Sequence, residues 1–288
     1  MRTGHFILIS FLCTGISLSF AQTIPQTQPS ESKFTICADP ADLPFSNKKL
    51  EGFENEIAKI IAEGMNAEVN FYWWPNQRGL VRNTLDKNLC HVLIGVPTDY
   101  ELVLTTRPYY RTTYVLTYQS DKEFQIQSLE DPILKKLRIG VHVNTPPSEI
   151  LAQNGIIGNI VGYSLIYDPE FHPEDYPGKI VEDLINGKVD VAVVWGPIAG
   201  YFAKKKNAPL RIVPIESSNP GIPTAFSISM GVRKGDKDLK EKLERILDQQ
   251  KSKIAKVLEE YGVPLLEIPQ SPTVDSKDTV EGHKHPED

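Results

Sequence analysis

The amino-acid sequence predicts an α/β fold with two lobes, each a mostly parallel sheet flanked by helices, and two segments that cross between the lobes. The clearest signal lies at residues 187–197, where a polar turn leads into an apolar, β-branched run at 189–194 and then into Trp-Gly-Pro at 195–197. Such a run is typical of a buried strand in a parallel sheet. Ligands of open α/β sheets bind beyond the carboxyl ends of the strands, so we expect residues 195–197 to face a ligand.

The same pattern occurs a second time at residues 87–97, where a polar turn and a short apolar run again lead into a Gly and a Pro. A short amphipathic segment precedes each copy, at 80–85 and at 180–185. One copy alone would fit a single Rossmann-like sheet, and that alternative stays open. Two copies favour two similar halves whose strand ends face each other across a cleft.

Other elements follow from local patterns. Apolar residues recur at helical spacing within 52–64, with Glu54 and Glu56 at the positive end of the helix dipole, where we interpret them as dipole partners. Asp236 predicts the start of a long helix that closes near Gly262. Further strands are predicted at 34–38, 69–72 and 137–143, further helices at 77–85 and 149–153, and the crossing segments at 107–118 and 226–232.

The two ends of the chain read as segments outside the fold. A charged start, an apolar run at 6–18 and small residues before Gln22 predict a secretory signal peptide that is cleaved after Ala21, and the run is too short to span a bilayer. We therefore expect a periplasmic protein. The predicted organisation is a signal peptide at 1–21, a disordered lead at 22–32, lobe 1 at 33–118 plus 226–268, lobe 2 at 119–225, and a disordered acidic tail at 269–288.

Cys37 and Cys90 are the two cysteines that remain after removal of the signal peptide. Each lies in a predicted strand, and the two strands are neighbours if the first and third strands pair. An exported protein is exposed to an oxidising compartment, which favours a disulfide between them. Two buried thiols are the alternative.

Composition and motifs exclude several functions. The formal charge is −6 and there is no basic block, which argues against a nucleic-acid partner. The sequence has no His-Glu-x-x-His, no Gly-x-Ser-x-Gly and no glycine-rich phosphate loop after a strand. We therefore predict no enzyme, no cofactor and no metal site. Glu101 is the one cleft acid that could be nominated for catalysis, and by default it is a surface carboxylate.

Several motifs resemble a known family. Residues 39–45, Gly-Phe-Glu at 52–54, Pro-Tyr-Tyr at 108–110 and the two strands that end in Gly and Pro resemble bacterial extracellular solute-binding proteins of family 3, which have type II periplasmic-binding-protein folds. The similarity covers about residues 34 to 268.

A narrower set of motifs lies at 73–79, 82–85, 144–147, 193–197, 230–233 and 261–264. These motifs resemble the MxaJ/XoxJ group, periplasmic binding-protein-like partners of PQQ-dependent methanol and alcohol dehydrogenases. The resemblance implies an accessory role in docking, maturation or activation of such a dehydrogenase. The alternative is a receptor of an ABC transporter for a small organic ligand other than a simple amino acid.

The chain departs from amino-acid binders of this family at both charged anchors. Those proteins carry a Thr-x-x-Arg that pairs with the substrate carboxylate, but here Thr98 is followed three residues later by Glu101. They also carry an aspartate that receives the ammonium group, and Trp195 occupies its place. Free amino acids are therefore poor candidates for a tight ligand.

The residues left at the predicted cleft are largely aromatic and cationic, which suits a protein contact or a flat, partly apolar ligand. Two alternatives stay open. Trp73 or Trp195 could pack in the core, and Arg78 and Arg82 could pair with surface acids. The predicted ligand or partner cleft comprises Asp39, Phe45, Trp74, Arg78, Tyr109, Arg111, Thr145 and Trp195.

Overall fold

The chain forms twelve strands and seven α-helices within the residues described by the computed structural model, which are Met1 and residues 32–168, 170–217 and 219–269. The predicted α/β fold class is confirmed. The strands are β1 (Lys33–Ala38), β2 (Ala41–Asp42), β3 (Ser46–Asn47), β4 (Glu68–Trp73), β5 (Val92–Pro97), β6 (Leu104–Thr105), β7 (Tyr110–Gln119), β8 (Ile139–His142), β9 (Ile160–Tyr163), β10 (Val191–Trp195), β11 (Leu210–Pro214) and β12 (Ala225–Val232). The helices are α1 (Phe53–Gly64), α2 (Leu80–Asn83), α3 (Pro146–Gln153), α4 (Lys179–Ile185), α5 (Gly196–Lys204), α6 (Lys237–Gln249) and α7 (Lys251–Glu260).

Each lobe contains three parallel strands in the order second, first, third, extended by antiparallel strands. In one lobe, β4 and β5 flank β1, and β12 pairs with β5 in the antiparallel sense. In the other, β9 and β10 flank β8, and β7 pairs with β10 in the antiparallel sense. The two copies of the sequence pattern are β5 and β10, which therefore occupy equivalent positions. At their carboxyl ends, where ligands of open α/β sheets bind, β5 leads into a loop and β10 leads directly into α5.

Strand β7 crosses between the lobes and pairs on both sides. Residues 110–113 pair with β12, whereas residues 114–119 pair with β10 and β11. The two crossing segments expected from the sequence therefore correspond to β7 and β12. By their contacts, the described residues from Ser32 onward belong to one unit, and the numerical lobe boundaries stay a prediction.

Two helix predictions need correction. The helix predicted at 77–85 is reduced to the four residues of α2, because Gly79 before it is left-handed (φ +91°) and Thr84 after it leaves the helical region. The single long helix predicted after Asp236 is divided into α6 and α7 at Gln250. The predicted cap is present, since the Asp236 carboxylate accepts a backbone N–H of the first turn of α6.

Cys37 and Cys90 form the predicted disulfide, with their Cα atoms 5.4 Å apart. The strands β1 and β5 are neighbours, as expected, although Cys90 lies two residues before β5 rather than inside it. Both cysteines are buried in a small apolar cluster with Leu85 and Val96.

The main hydrophobic core runs from one lobe into the other. Phe53 and Ile57 of α1 belong to the same buried cluster as Val194 of β10 and Ile198 of α5. A second cluster, which includes Leu151 of α3, fills the opposite face of the β8–β10 sheet. The two sheets are therefore joined by side-chain packing as well as by the crossing strands.

The residues that follow α7, at 261–266, hold this junction together and are called the C-terminal segment below. The Tyr261 hydroxyl donates to the Glu51 carbonyl at 2.7 Å, and its ring is stacked with Tyr201 of α5 at 6.3 Å between centroids. Leu266 donates its N–H to the Arg111 carbonyl of β7 at 2.9 Å. The segment therefore contacts both lobes and the strand between them.

The closest approach in this segment is between two glycines. A Cβ atom added to Gly200 would lie 1.9 Å from the Gly262 carbonyl oxygen, and one added to Gly262 would lie 2.6 Å from the Gly200 oxygen. Gly262 also has a left-handed φ of +70°. Only glycine allows the two backbones to touch in this way.

The predicted signal peptide, lead and tail lie almost entirely outside the described residues. In the described part of the chain, no helix has the length and apolar character that a bilayer crossing requires.

We predict that Gly262→Ala lowers the free energy of unfolding by about 3 kcal/mol, because the methyl group adds a steric clash to backbone strain. Gly187→Ala is the matched control: Gly187 has the same φ of +70° but no atom within 4 Å of an added Cβ. Strain alone should lower its stability by about 1 kcal/mol. Urea denaturation of both variants measures the difference, and equal losses would contradict the packing role of the C-terminal segment.

Candidate functional site

Three carboxyl groups lie at the lobe 1 side of the predicted cleft, and we call Asp39, Asp42 and Glu54 the acidic trio. Asp39 follows β1, and its two oxygens accept the N–H groups of Ala41 at 2.8 Å and Asn76 at 2.5 Å. Asp42 lies in the short strand β2, and Glu54 lies in the first turn of α1. The trio therefore combines the loop after β1 with the start of the helix that follows it.

The electrostatics of the trio are unusual for surface acids. Burial, and then the charge of Asp39, raises the pKa of Asp42 to about 7. Burial, followed by the charges of Asp42 and Asp39, raises the pKa of Glu54 to about 8. Desolvation also raises the pKa of Asp39, although its two backbone hydrogen bonds oppose the shift. A carboxyl group that is protonated near pH 7 is not an anionic dipole partner, which corrects the interpretation of Glu54.

Aromatic side chains surround the trio. The Tyr109 hydroxyl donates to the Ile94 carbonyl at 3.0 Å, and its ring meets Tyr110 edge-on at 4.9 Å. Tyr110 is only 4% exposed, and burial, followed by the charge of Glu54, raises its pKa. Phe45 is half-buried and packs against Phe53 at 5.3 Å.

A residue from lobe 2 completes this surface. Tyr167 lies in the irregular segment between β9 and α4, and its hydroxyl donates to the Ala41 carbonyl beside the trio. Burial raises the pKa of Tyr167, with further contributions from the charges of Asp42 and Asp39. The trio therefore faces the opposite lobe.

Four of the predicted cleft residues lie on lobe 1 near the acidic trio. Asp39, Phe45 and Tyr109 lie around the trio as described. Trp74 directly follows β4 and is half-buried, and its indole nitrogen is buried without a hydrogen-bond partner in the described chain. The backbone N–H of Trp74 donates to the carbonyl of Ala38, one residue before Asp39. These four residues belong to one side of lobe 1, and their role in binding stays a prediction.

The other four predicted residues have the following surroundings, and their place in a common cleft stays a prediction. Arg78 is exposed, Arg111 of β7 donates to the Glu267 carbonyl at 3.4 Å, and the Thr145 hydroxyl donates to the His142 carbonyl at 2.6 Å at the start of α3. Trp195 is half-buried and packs against Tyr114 at 4.9 Å and Phe226 at 5.9 Å, where the crossing strands meet β10.

The positions where amino-acid binders carry their anchors are occupied differently here. The Thr98 hydroxyl is engaged by the Ser227 carbonyl at 3.1 Å and by the Ser229 hydroxyl at 2.8 Å. Glu101 is exposed to solvent, and Trp195 lies in an aromatic cluster. No cationic group among these three residues is available for a substrate carboxylate.

Sequence analysis missed Asp42, Tyr110 and Tyr167 and misinterpreted Glu54. The sequence did contain one indication that the Glu54 side chain packs against the sheet. A Cβ atom at Gly95 would lie 2.1 Å from a Glu54 carboxylate oxygen, so Gly95 leaves the space that this carboxyl group fills. Glycine inside an apolar strand often marks such a close approach.

In the described part of the chain, the side chains spaced to hold a metal ion are His172, Glu174 and Asp175. All three are exposed, and their ligand atoms lie within 4.8 Å of one another. They are distinct from the acidic trio.

Comparisons of the sequence and of the fold with known proteins point to the same family. The model of the bacterial extracellular solute-binding proteins, family 3, matches residues 34–264. Protein MoxJ of Methylorubrum extorquens is 33% identical over 253 residues, which cover 84% of this chain and 84% of MoxJ. The crystal structure of the periplasmic binding protein XoxJ from Methylobacterium extorquens AM1 is 36% identical with a TM-score of 0.69, over 82% of this chain and 100% of that one. MxaJ from Methlophaga aminisulfidivorans MPT is 30% identical with a TM-score of 0.70, over 81% and 100%.

We predict that the protein is more stable at pH 6.5 than at pH 8.5, by about 1–2 kcal/mol. Folding raises the pKa values of Asp42 and Glu54. The contribution of the two groups to the free energy of unfolding is therefore fully present below their pKa values in the unfolded chain, and it is lost as the pH rises through about 7 and 8. The comparison stays above pH 6.5 because of a second group, His142. Burial lowers the pKa of His142 to about 4, so its contribution to stability is lost as the pH falls from about 6.5 towards 4.

Urea denaturation at the two pH values tests this for the wild type and for the double variant Asp42→Asn with Glu54→Gln, which should lose the dependence. Glu56→Gln is the control, because Glu56 is on the same helical turn but is ion-paired with Lys59 at 2.8 Å. A double variant that keeps the wild-type dependence would show that the trio is not its source.

Proposed function

We propose a docking role for this chain, which belongs to the bacterial extracellular solute-binding proteins of family 3 and, within them, to the MxaJ/XoxJ type. In this role it is a periplasmic accessory factor of a PQQ-dependent methanol or alcohol dehydrogenase and aids the maturation or activation of that enzyme. The chain acts by binding and not by catalysis. The resemblance of its motifs to the MxaJ/XoxJ group supports a methanol or alcohol dehydrogenase as the partner.

The observation that carries the proposal is the loss of both charged anchors for an amino acid. Glu101 and Trp195 stand where a zwitterion would require an arginine and an aspartate, and the carboxyl groups on the lobe 1 side have raised pKa values. A receptor for amino acids would not have this charge arrangement. The departure supports a different use of the same fold.

A stretch of lobe 2 with exposed apolar side chains suits a protein partner. Ile157, Ile166 and Phe171 are 68%, 65% and 73% exposed, which is unusual for large apolar side chains so close in sequence. Residues 139–178 contain five acids and no lysine or arginine. This stretch of the chain is therefore acidic as well as apolar where it is exposed, which supports a partner with a basic and apolar surface.

The test is binding of the purified chain to a purified PQQ-dependent methanol dehydrogenase from the same organism, with and without PQQ. We expect Ile166→Ser and Phe171→Ser each to weaken binding about tenfold or more, because buried aromatic and aliphatic contacts dominate interface energies. Leu102→Ser is the matched control, since Leu102 is 55% exposed but lies on lobe 1. Binding is measured by biolayer interferometry.

Two results would contradict the proposal. One is the absence of binding together with normal holoenzyme activity in a deletion strain. The other is a small organic solute that stabilises the isolated chain strongly, since a ligand at 100 times its dissociation constant adds about 2.7 kcal/mol. That second result would favour the transport receptor.

A further inference from the structure

Strand β9 lies at one edge of the lobe 2 sheet, where β8 is its only neighbouring strand in the described part of the chain. In their parallel ladder, the Ile139 N–H donates to the Asn159 carbonyl at 3.0 Å. The Val143 N–H donates in the same way to the Tyr163 carbonyl at 2.9 Å. Because backbone groups alternate in direction along a strand, the N–H and the C=O of Gly162 point away from β8.

The outward side of β9 is uncovered. Gly162 is exposed, and its two backbone groups have no hydrogen-bond partner among the residues that the structure describes. The carbonyl of Ile160, which points to the same side, has no partner there either. A row of unpaired N–H and C=O groups at a sheet edge is the template on which an extended segment of another chain adds as a new strand.

The β9 edge also lacks the features that usually prevent such pairing. Proteins protect their sheet edges with charged side chains, prolines or bulges. Strand β11, at the opposite edge of the same sheet, contains Arg211 and ends at Pro214. Strand β9 reads Ile-Val-Gly-Tyr, and its ladder with β8 runs in register without a bulge. The two edges of lobe 2 therefore differ, and β9 is the edge that accepts a strand.

Exposed apolar side chains lie directly beside this edge. Val161 belongs to β9 itself, and Val143 lies so close to Gly162 that an added Cβ would be 2.8 Å from it. Ile157 precedes the strand by three residues, and Leu165 follows it by two. An added strand would cover these side chains with its own apolar residues.

Charge selects the kind of segment that fits. The five acids at 139–178 are accompanied by no lysine or arginine, and four of them follow β9 and are exposed: Asp168, Glu170, Glu174 and Asp175. A second copy of this acidic edge would be repelled. Residues 270–288 of the same chain have five acids and two lysines, so they are repelled as well. A segment with basic residues is attracted.

We infer that β9 is the docking edge for an extended segment of a partner protein, which adds as a strand beside Gly162 and carries lysine or arginine among its apolar residues. A backbone N–H of the segment donates to the Gly162 carbonyl, and a carbonyl of the segment accepts the Gly162 N–H. Its apolar side chains contact Val143 and Val161. That the partner is the dehydrogenase rests on the proposed function.

The matched variants for a test are Gly162→Pro and Gly162→Ala. Proline removes the outward N–H, and the ladder with β8 loses nothing because that N–H takes no part in it. Both variants place the same Cβ against Val143, so alanine controls for this contact. In biolayer interferometry with the methanol dehydrogenase, Gly162→Pro should weaken binding about tenfold or more, and Gly162→Ala less than about threefold.

Amide hydrogen exchange, resolved to single residues by mass spectrometry, reports on the same contact. In the isolated full-length chain, the Gly162 amide should exchange about a hundredfold faster than that of Tyr163, which bonds to β8. Binding of the dehydrogenase should slow the Gly162 amide about tenfold or more. The Tyr163 amide should stay slow in both variants, which shows that β9 remains paired with β8.

A synthetic peptide separates this inference from the proposed function. The probe is an acetylated Lys-Val-Thr-Val-Lys-Val peptide, and Glu-Val-Thr-Val-Glu-Val is its acidic control. The basic peptide should slow exchange of the Gly162 amide, and the acidic one should not. If the dehydrogenase fails to bind but the basic peptide protects Gly162, the proposed function fails and the docking edge stands.

The inference is overturned if neither the dehydrogenase nor the basic peptide slows exchange at Gly162. Equal binding of Gly162→Pro and Gly162→Ala to whichever of the two binds would also overturn it. Slow exchange in the isolated monomer would show that another part of the chain already covers the edge. Dimerisation of the chain that Gly162→Pro abolishes would show that the occupant is a second copy, which contradicts the inferred basic partner.

Discussion

The contact between Gly200 of α5 and Gly262 of the C-terminal segment is the constraint on which the arrangement of the lobes depends. It allows two backbones to touch without side chains between them. Around this point Tyr261 joins α5 to the loop before α1, and the Thr112 hydroxyl donates to the Pro264 carbonyl at 2.6 Å. The result is one hydrophobic core that extends through both lobes, so the sheets are held by packing as well as by β7 and β12.

Holding the lobes in this way brings their strand ends together. The loop after β1 supplies Asp39 and Asp42, the start of α1 supplies Glu54, and the segment after β9 supplies Tyr167 from the opposite lobe. Because solvent is largely displaced here, the carboxyl groups of Asp42 and Glu54 are partly protonated near neutral pH instead of being fully charged. The lobe 1 side of this receptor fold thus presents carboxyl groups and no arginine at position 101 that would pair with a ligand carboxylate.

The sequence predicts the strands and the fold well because their signals are local. The β-branched runs of β5 and β10 define buried strands without knowledge of their neighbours, and the crossing segments alternate visibly. The helix at 77–85 was wrong because one left-handed residue, Gly79, outweighs the apolar spacing. Strands β9 and β11 are short and only partly buried, so their patterns are weak.

The site is harder to predict because its properties depend on distances between residues far apart in the chain. Glu54 has an ordinary carboxyl group in the sequence, and its raised pKa comes from burial and from Asp39 and Asp42, which reach it only after folding. Tyr167 lies more than a hundred residues from Ala41 and in a segment without regular structure. The spacing of residues in the sequence predicts neither the raised pKa of Glu54 nor the contact between Tyr167 and Ala41.

Amino-acid receptors of this fold hold a zwitterion with an arginine and an aspartate, and this chain has Glu101 and Trp195 at those positions. The decisive measurement is calorimetric titration of the purified chain with each of the twenty amino acids at neutral pH. Without the two anchors, no amino acid should bind with a dissociation constant below about 100 μM, or about −5.5 kcal/mol. Micromolar binding of a neutral amino acid such as glutamine would show that the fold binds a zwitterion without these anchors.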